Sequence, residues 1–276
     1  MDRTIVVAIA GREARSGLRN RWFLLYTIVF VALIVGFSWI ALNGSDVAGQ
    51  VGFGQTSAGL LNLMLLMVPL IGLTIGAQSL VTERQARGLD YLLAQPISPG
   101  ELFTGKYLGA AISILLMLAL GFGCAAFILA ARGGSASLGS FGVLALITVL
   151  LALGMLSVGY LISSFTGQTA AALGIAVTLW LLFIIVGDLG IMGSSLVLNL
   201  NPRTMLGLTL LNPLDTFKLL SIGVLNTSLE VLGPAGTYAL DRFGNQLAPL
   251  LLILEAVWIV LPLLIGYWLF KQTAVR

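Results

Sequence analysis

The sequence predicts an all-α integral membrane protein of about six transmembrane helices. An N-terminal interfacial helix, a short helix in the loop after the second span and short external helices before the last span complete the expected fold. Three observations carry this reading. About six apolar stretches of roughly 18 to 25 residues run between Trp22 and Phe270, each long enough for a helix to cross the hydrocarbon core. Mean hydropathy is +1.04, and 58% of residues are hydrophobic against 9% charged, where a soluble domain carries about a quarter charged. Turn-rich or charged segments separate the stretches, and 276 residues leave no room for a separate soluble domain, so residues 1–276 read as one unit.

The chain starts with a basic segment, residues 1–21. Ile5 and Ile9 alternate with Arg12, Arg15 and Arg19, whose spacing of three and four puts the arginines on one helical face. Such a helix lies in the membrane interface with its cations toward anionic headgroups. It serves either as a topology anchor or as an elbow that guides a partner subunit. A cleaved secretory signal fits poorly, because a leader of about 20 residues precedes a full-length span.

The spans read Trp22–Leu42, Leu60–Val81, Tyr107–Ala131, Leu138–Ser163, Ala170–Gly187 and Leu247–Phe270. The single cysteine, Cys124, falls within the third and has no intrachain partner, so there is no disulfide framework. Glycines at Gly72 with Gly76, and at Gly105 with Gly109, have the spacing that lets membrane helices approach closely.

Basic loops resist translocation, which sets the orientation. Arg3, Arg12, Arg15, Arg19 and Arg21 precede the first span; Arg84, Arg87 and Lys106 follow the second; Lys271 and Arg276 follow the last. The other side holds Arg132, Arg203, Lys218 and Arg242, outweighed by acids such as Asp46, Asp188, Asp215, Glu230 and Asp241. Both termini are therefore expected in the cytoplasm and residues 189–246 outside. That external segment is rich in leucine on both sides of Pro213, which suggests short helices packed on the outer membrane face, as a docking surface or as a cover for the bundle.

Residues 82–106, TERQARGLDYLLAQPISPGELFTGK, form the informative loop. Glu83 through Ala94 can form a short helix with Leu89, Leu92 and Leu93 clustered and Gly88 allowing close approach, before Pro96 and Pro99 end it. An amphipathic helix with exposed leucines suits a groove on a partner; the plainer alternative is that the leucines dip into the membrane interface. Gly100, Gly105 and Lys106 also satisfy G-x-x-x-x-G-K, the first part of a phosphate-binding loop. Tyr107 stands where Ser or Thr would hold magnesium, no buried strand precedes Gly100, and a span follows, so nucleotide chemistry is not expected here.

Glu83, Arg84, Gly88, Leu92, Leu93, Pro96, Ser98, Glu101 and Lys106, in that order after the second span, resemble the E-R-x-x-G-T-L-x-x-L-L-x-x-P-hydrophobic-S-x-x-E signature of exporter-type ABC transporter permeases of the second class. Leu89 departs from the family's usual Thr. The resemblance implies six spans, an elbow helix, a cytoplasmic coupling helix that docks an ATPase subunit, and a permease homodimer in the bacterial inner membrane. ATP and magnesium then belong to the ATPase and not to this chain. The run LLNPLDTFKLLSIGVL before the last span further resembles permeases of nitrous oxide reductase maturation systems. That likeness implies a NosF-like ATPase, a NosD-like periplasmic copper-handling partner and a role in assembling the reductase's copper–sulfur centre.

The residues themselves give copper little to bind. The chain has no histidine, one cysteine and seven methionines. Met64 and Met67 share a face of the second span, but methionine is also common core filler. Glu255 is the clear acid within a span, about eight residues beyond Leu247 and so roughly 12 Å along the helix. A charge at that depth is costly, so Glu255 should be protonated, paired or facing water. A structural partner across the bundle is the plainer role and a substrate contact the sharper one. An intramembrane enzyme finds no support, since histidine, paired carboxylates within the spans and a nucleophile elbow are all missing. Export of an unrelated solute and a passive scaffold complete the alternatives.

Overall fold

The computed structural model describes residues 2–44, 51–86, 97–131, 138–193, 202–224 and 242–274. Among them every regular element is helical. They are α1 (Arg3–Leu18), α2 (Arg21–Gly44), α3 (Val51–Gln85), α4 (Pro99–Ala131), α5 (Leu138–Phe165), α6 (Thr169–Gly193), α7 (Pro202–Leu211), α8 (Pro213–Val224) and, after a 3₁₀ turn over Gly244–Gln246, α9 (Leu247–Ala274). Among the described residues six helices, α2 to α6 and α9, are long and apolar enough to cross a membrane. Each contains one of the six spans expected from the sequence, with some edges displaced.

The centre of the bundle is the α3–α5 crossing. A Cβ on Gly76 would meet Leu156 O at 2.5 Å and Gly159 Cα at 2.8 Å, and one on Gly72 would meet Met155 Cβ at 2.9 Å. Only glycine lets the two backbones approach this closely, which recovers in dispersion what lipid cannot supply as a hydrophobic driving force. Above this seam Tyr160 O–H and Ser79 Oγ lie 2.6 Å apart, and Ser163 Oγ accepts from the backbone N–H of both Leu80 and Val81. α9 packs on the other side of α5, while α2 lies against α4 and α6 against α3. Those three outer helices carry many of the exposed apolar side chains, among them Ile28, Ile185 and Leu264, and α4 adds others such as Leu120 and Phe127. In lipid such a surface costs nothing.

Three expectations need correction. The second span does not stop at Val81. α3 runs on to Gln85, so Glu83 and Arg84 sit on its last turn and do not open a separate helix. The third span begins at Pro99 and not at Tyr107, because Ser98 and Glu101 form a capping box: Ser98 N–H donates to Glu101 Oε2 at 2.9 Å and Glu101 N–H to Ser98 Oγ at 3.3 Å. Pro99 occupies the first helical position, where its missing N–H costs nothing. The loop charge Lys106 is consequently a buried helical residue.

The third correction concerns the segment before α9. α8 does not rest on the outer surface of the bundle; it is wedged among α5, α6 and α9, with Phe217, Thr216 and Ser221 fully buried. Its start is set locally. Asn212 Oδ1 accepts from Leu214 N–H at 3.1 Å as the N-cap, and Pro213 holds the first helical position. Asn212 Nδ2 donates to Phe183 O and to Asp215 Oδ2, and Gly187 on α6 leaves the room, since a Cβ there would meet Asp215 Oδ1 at 2.6 Å.

Candidate functional site

The ends of α3, α5 and α9 and the start of α4 meet at one end of the bundle, and α1 packs along α4 there. α1 begins at the N-cap Asp2, whose exposed side chain accepts from the Thr4 hydroxyl and from Thr4 N–H, and these two bonds hold its carboxyl below the usual range. Its inner face carries Ala10 and Ala14. Ala10 and Ala14 meet Gly109 of α4, where a Cβ would lie 2.6 Å from Ala10 O, and Ile9 meets Gly105, where a Cβ would lie 2.8 Å from Ile9 Cβ. The second glycine pair therefore seats the N-terminal helix and not another membrane span.

That close approach brings four charges together. Lys106, 1% exposed, donates from Nζ to Glu13 Oε2 of α1 and to Glu83 Oε1 of α3, each at 2.8 Å. Arg12 Nη2 reaches the same Glu83 oxygen at 3.3 Å from the exposed side. Two cations and two carboxylates balance, which lets a lysine stay buried where alone it would be prohibitively costly. Glu101 adds a second tie, accepting from Asp2 N–H at 2.6 Å.

Arg84 performs a different task. Its Nη1 donates to Thr166 O at 2.6 Å and its Nη2 to Ser164 O at 3.4 Å. The guanidinium thus satisfies carbonyls left open at the C-terminus of α5 and meets the negative end of the helix dipole. Beside it Thr169 Oγ1 at the start of α6 donates to Gln85 Oε1 at 2.5 Å. An aromatic cluster closes the same end: the Phe103 ring centroid lies 5.6 Å from that of Tyr160 and 5.7 Å from those of Tyr267 and Phe270.

Of the residues singled out in the sequence, Glu83 and Arg84 stand at this junction, while Gly88, Leu89, Leu92, Leu93 and Pro96 lie outside the described residues. Arg12, Arg15 and Arg19 line one exposed face of α1, along a groove shared with Gly11 and Asn20. Gly100 through Lys106 are helical, with Gly105 against Ile9 and Lys106 between two carboxylates. No phosphate loop exists there. Met64 is buried, with its sulfur 3.5 Å from Thr148 Oγ1, whose proton has a nearer acceptor in Leu144 O at 2.8 Å; no group of three or more metal-binding His, Cys, Asp or Glu residues occurs among the described residues. Glu255 does find a partner, Thr216 Oγ1 at 2.9 Å, on the inserted helix α8. Sequence reasoning missed Glu13 and the burial of Lys106, although Glu13 lies between two of the marked arginines.

Six membrane-crossing helices among the described residues, with a further helix packed on α4 and tied by ion pairs to the flanks of the α3–α4 loop, make this a polytopic membrane protein. The chain belongs to the ABC-2 family transporter proteins, whose pattern matches residues 7–275. Among its relatives, a probable ABC transporter permease protein NosY from Stutzerimonas stutzeri is 32% identical over 275 residues, covering 96% of this chain and 97% of the relative. Another probable ABC transporter permease protein NosY, from Pseudomonas aeruginosa, is 32% identical over 278 residues, covering 97% and 98%.

Proposed function

We propose that this chain is the permease half of an ABC transporter in a bacterial inner membrane, driven through its α3–α4 loop by a separate ATPase subunit that carries ATP and magnesium. The carrying observation is the double anchoring of that loop. Glu83 ties its leading flank through Lys106 to α1, and Arg84 ties the same flank to the end of α5. A push delivered to the loop therefore reaches α1, α3, α4, α5 and α6 as one body, since packed elements shift together and do not deform gradually. Both termini then face the ATPase, in keeping with the arginine bias of the sequence.

Two copies of the permease complete the assembly, and a NosD-like periplasmic protein is the partner on the far side. Both relatives are named as NosY permeases, and the resemblance carried by LLNPLDTFKLLSIGVL extends the proposal to a role beside the copper–sulfur centre of nitrous oxide reductase. The side chains favour mechanical transmission over copper passage, because the chain lacks histidine and Met64 is fully buried in the bundle core. Purification from native membranes tests the proposal. Co-isolation of an ATPase whose ATP turnover depends on this chain is expected; a chain isolated alone, with no response to nucleotide, contradicts it.

A further inference from the structure

The contact between Glu255 and Thr216 holds more acceptors than protons. Thr216 Oγ1 lies 2.9 Å from Pro213 O and 2.9 Å from Glu255 Oε1. A hydroxyl has one proton to donate. If it serves the carbonyl of Pro213, as is usual for a threonine near a helix start, two oxygens are left facing each other unless the carboxyl supplies the hydrogen. Glu255 is fully buried, and its Oε2 has no hydrogen-bond partner among the described residues. An ionised carboxylate with one oxygen bare in this setting is heavily penalised, whereas a carboxylic acid with a bare carbonyl oxygen is tolerable.

We propose that Glu255 is a proton-binding site: it carries a proton on Oε1, donates it to Thr216 Oγ1, and so pins the inserted helix α8 to α9. Loss of that proton leaves a buried anion that Thr216 can meet only by turning its single hydroxyl proton away from Pro213 O, so the start of α8 loses its own bond and the pin is loosened. Among the described residues no ion pair to Glu255 is seen. On α8 the charged groups are Asp215 and Lys218, which face each other at 3.8 Å. α5 has no charged residue, and α6 has none from Thr169 to Gly187. The site is independent of which ATPase drives the permease.

Infrared difference spectra of the full-length protein in nanodiscs, wild type against Glu255→Gln, test the protonation directly. The carbonyl stretch of a carboxylic acid should be present in the wild type at neutral pH and absent from the variant. In Thr216→Val the same band should persist at higher frequency, because its hydrogen bond is gone. Loss of a carboxylate signal instead, or a band unmoved by Thr216→Val, overturns the assignment. The pin is tested by the rate at which a permeant thiol reagent modifies Ser221→Cys in a Cys124→Ala background. The ratio of rates with Glu255 intact and with Glu255→Gln cancels the thiol's own titration. It should be near unity at neutral pH and rise about tenfold at alkaline pH, the counterpart of one buried hydrogen bond; a flat ratio overturns the pin.

Discussion

Lys106 Nζ lies 2.8 Å from Glu83 Oε1, and these two residues flank the loop between α3 and α4. The loop's two ends are therefore held together beneath it, and Glu13 extends the tie to α1. Whatever moves the loop moves this cluster.

Replacing Lys106 with Met should leave Glu13 and Glu83 facing each other without their shared cation. Breaking a buried ion pair costs about 3–5 kcal/mol, and with the carboxylates about one-fifth exposed the lower end applies, about 3 kcal/mol. Glu83→Gln, which keeps a hydrogen-bond acceptor for Lys106, should cost less. Thermal unfolding of the detergent-solubilised protein measures both. Equal stability of Lys106→Met and wild type would remove the cluster from the account.

Gly76→Val should separate α3 from α5, since its Cβ would fall 2.5 Å from Leu156 O and 2.8 Å from Gly159 Cα. Backbone atoms cannot yield as a side-chain tip does. Overpacking of this kind costs about 1–3 kcal/mol or more, and loss of monodisperse protein in size-exclusion chromatography is the expected readout. Gly123→Val on α4, where a Cβ meets nothing within 4 Å, serves as the tolerated control.

Ser98→Ala should weaken the start of α4 by about 1 kcal/mol, the value of an N-cap. Slower hydrogen exchange at Glu101 N–H in the wild type than in the variant reports it. Identical exchange would mean that the capping box does not hold this turn.

The six spans and the glycine seam were legible because hydropathy over twenty residues and small-residue spacing are local properties. The start of α4 was also local, since Ser98-Pro99-Gly100-Glu101 is a capping box, but apolar length pointed to Tyr107 because the polar first turns lie outside the hydrocarbon. At 33 residues α4 is about 50 Å long, well beyond a core of about 30 Å. The burial of Lys106 was not legible, because it depends on Glu13 and Glu83 arriving from 93 and 23 residues away. The insertion of α8 was hidden for a similar reason. Its leucines suit a membrane surface as well as a bundle interior, and long-range contacts such as Thr216 with Glu255 and Asn212 with Phe183 O distinguish the two.

Sidedness follows from the arginine distribution. Cysteines placed at Ser16 and at Gln246, in a Cys124→Ala background, should react with an impermeant thiol reagent from the cytoplasmic and the external side respectively. Reversed labelling contradicts the orientation and places the loop away from any cytoplasmic ATPase.

The central claim, that an ATPase drives this chain through the α3–α4 loop, is tested most directly by co-purification of the ATPase with the variant carrying Leu92→Asp and Leu93→Asp. Burying such leucines at an interface contributes about 1.5–3 kcal/mol each, so the double variant should lose the ATPase while its membrane insertion stays normal. If the variant still retains the ATPase and supports normal ATP turnover, the loop is not the coupling element.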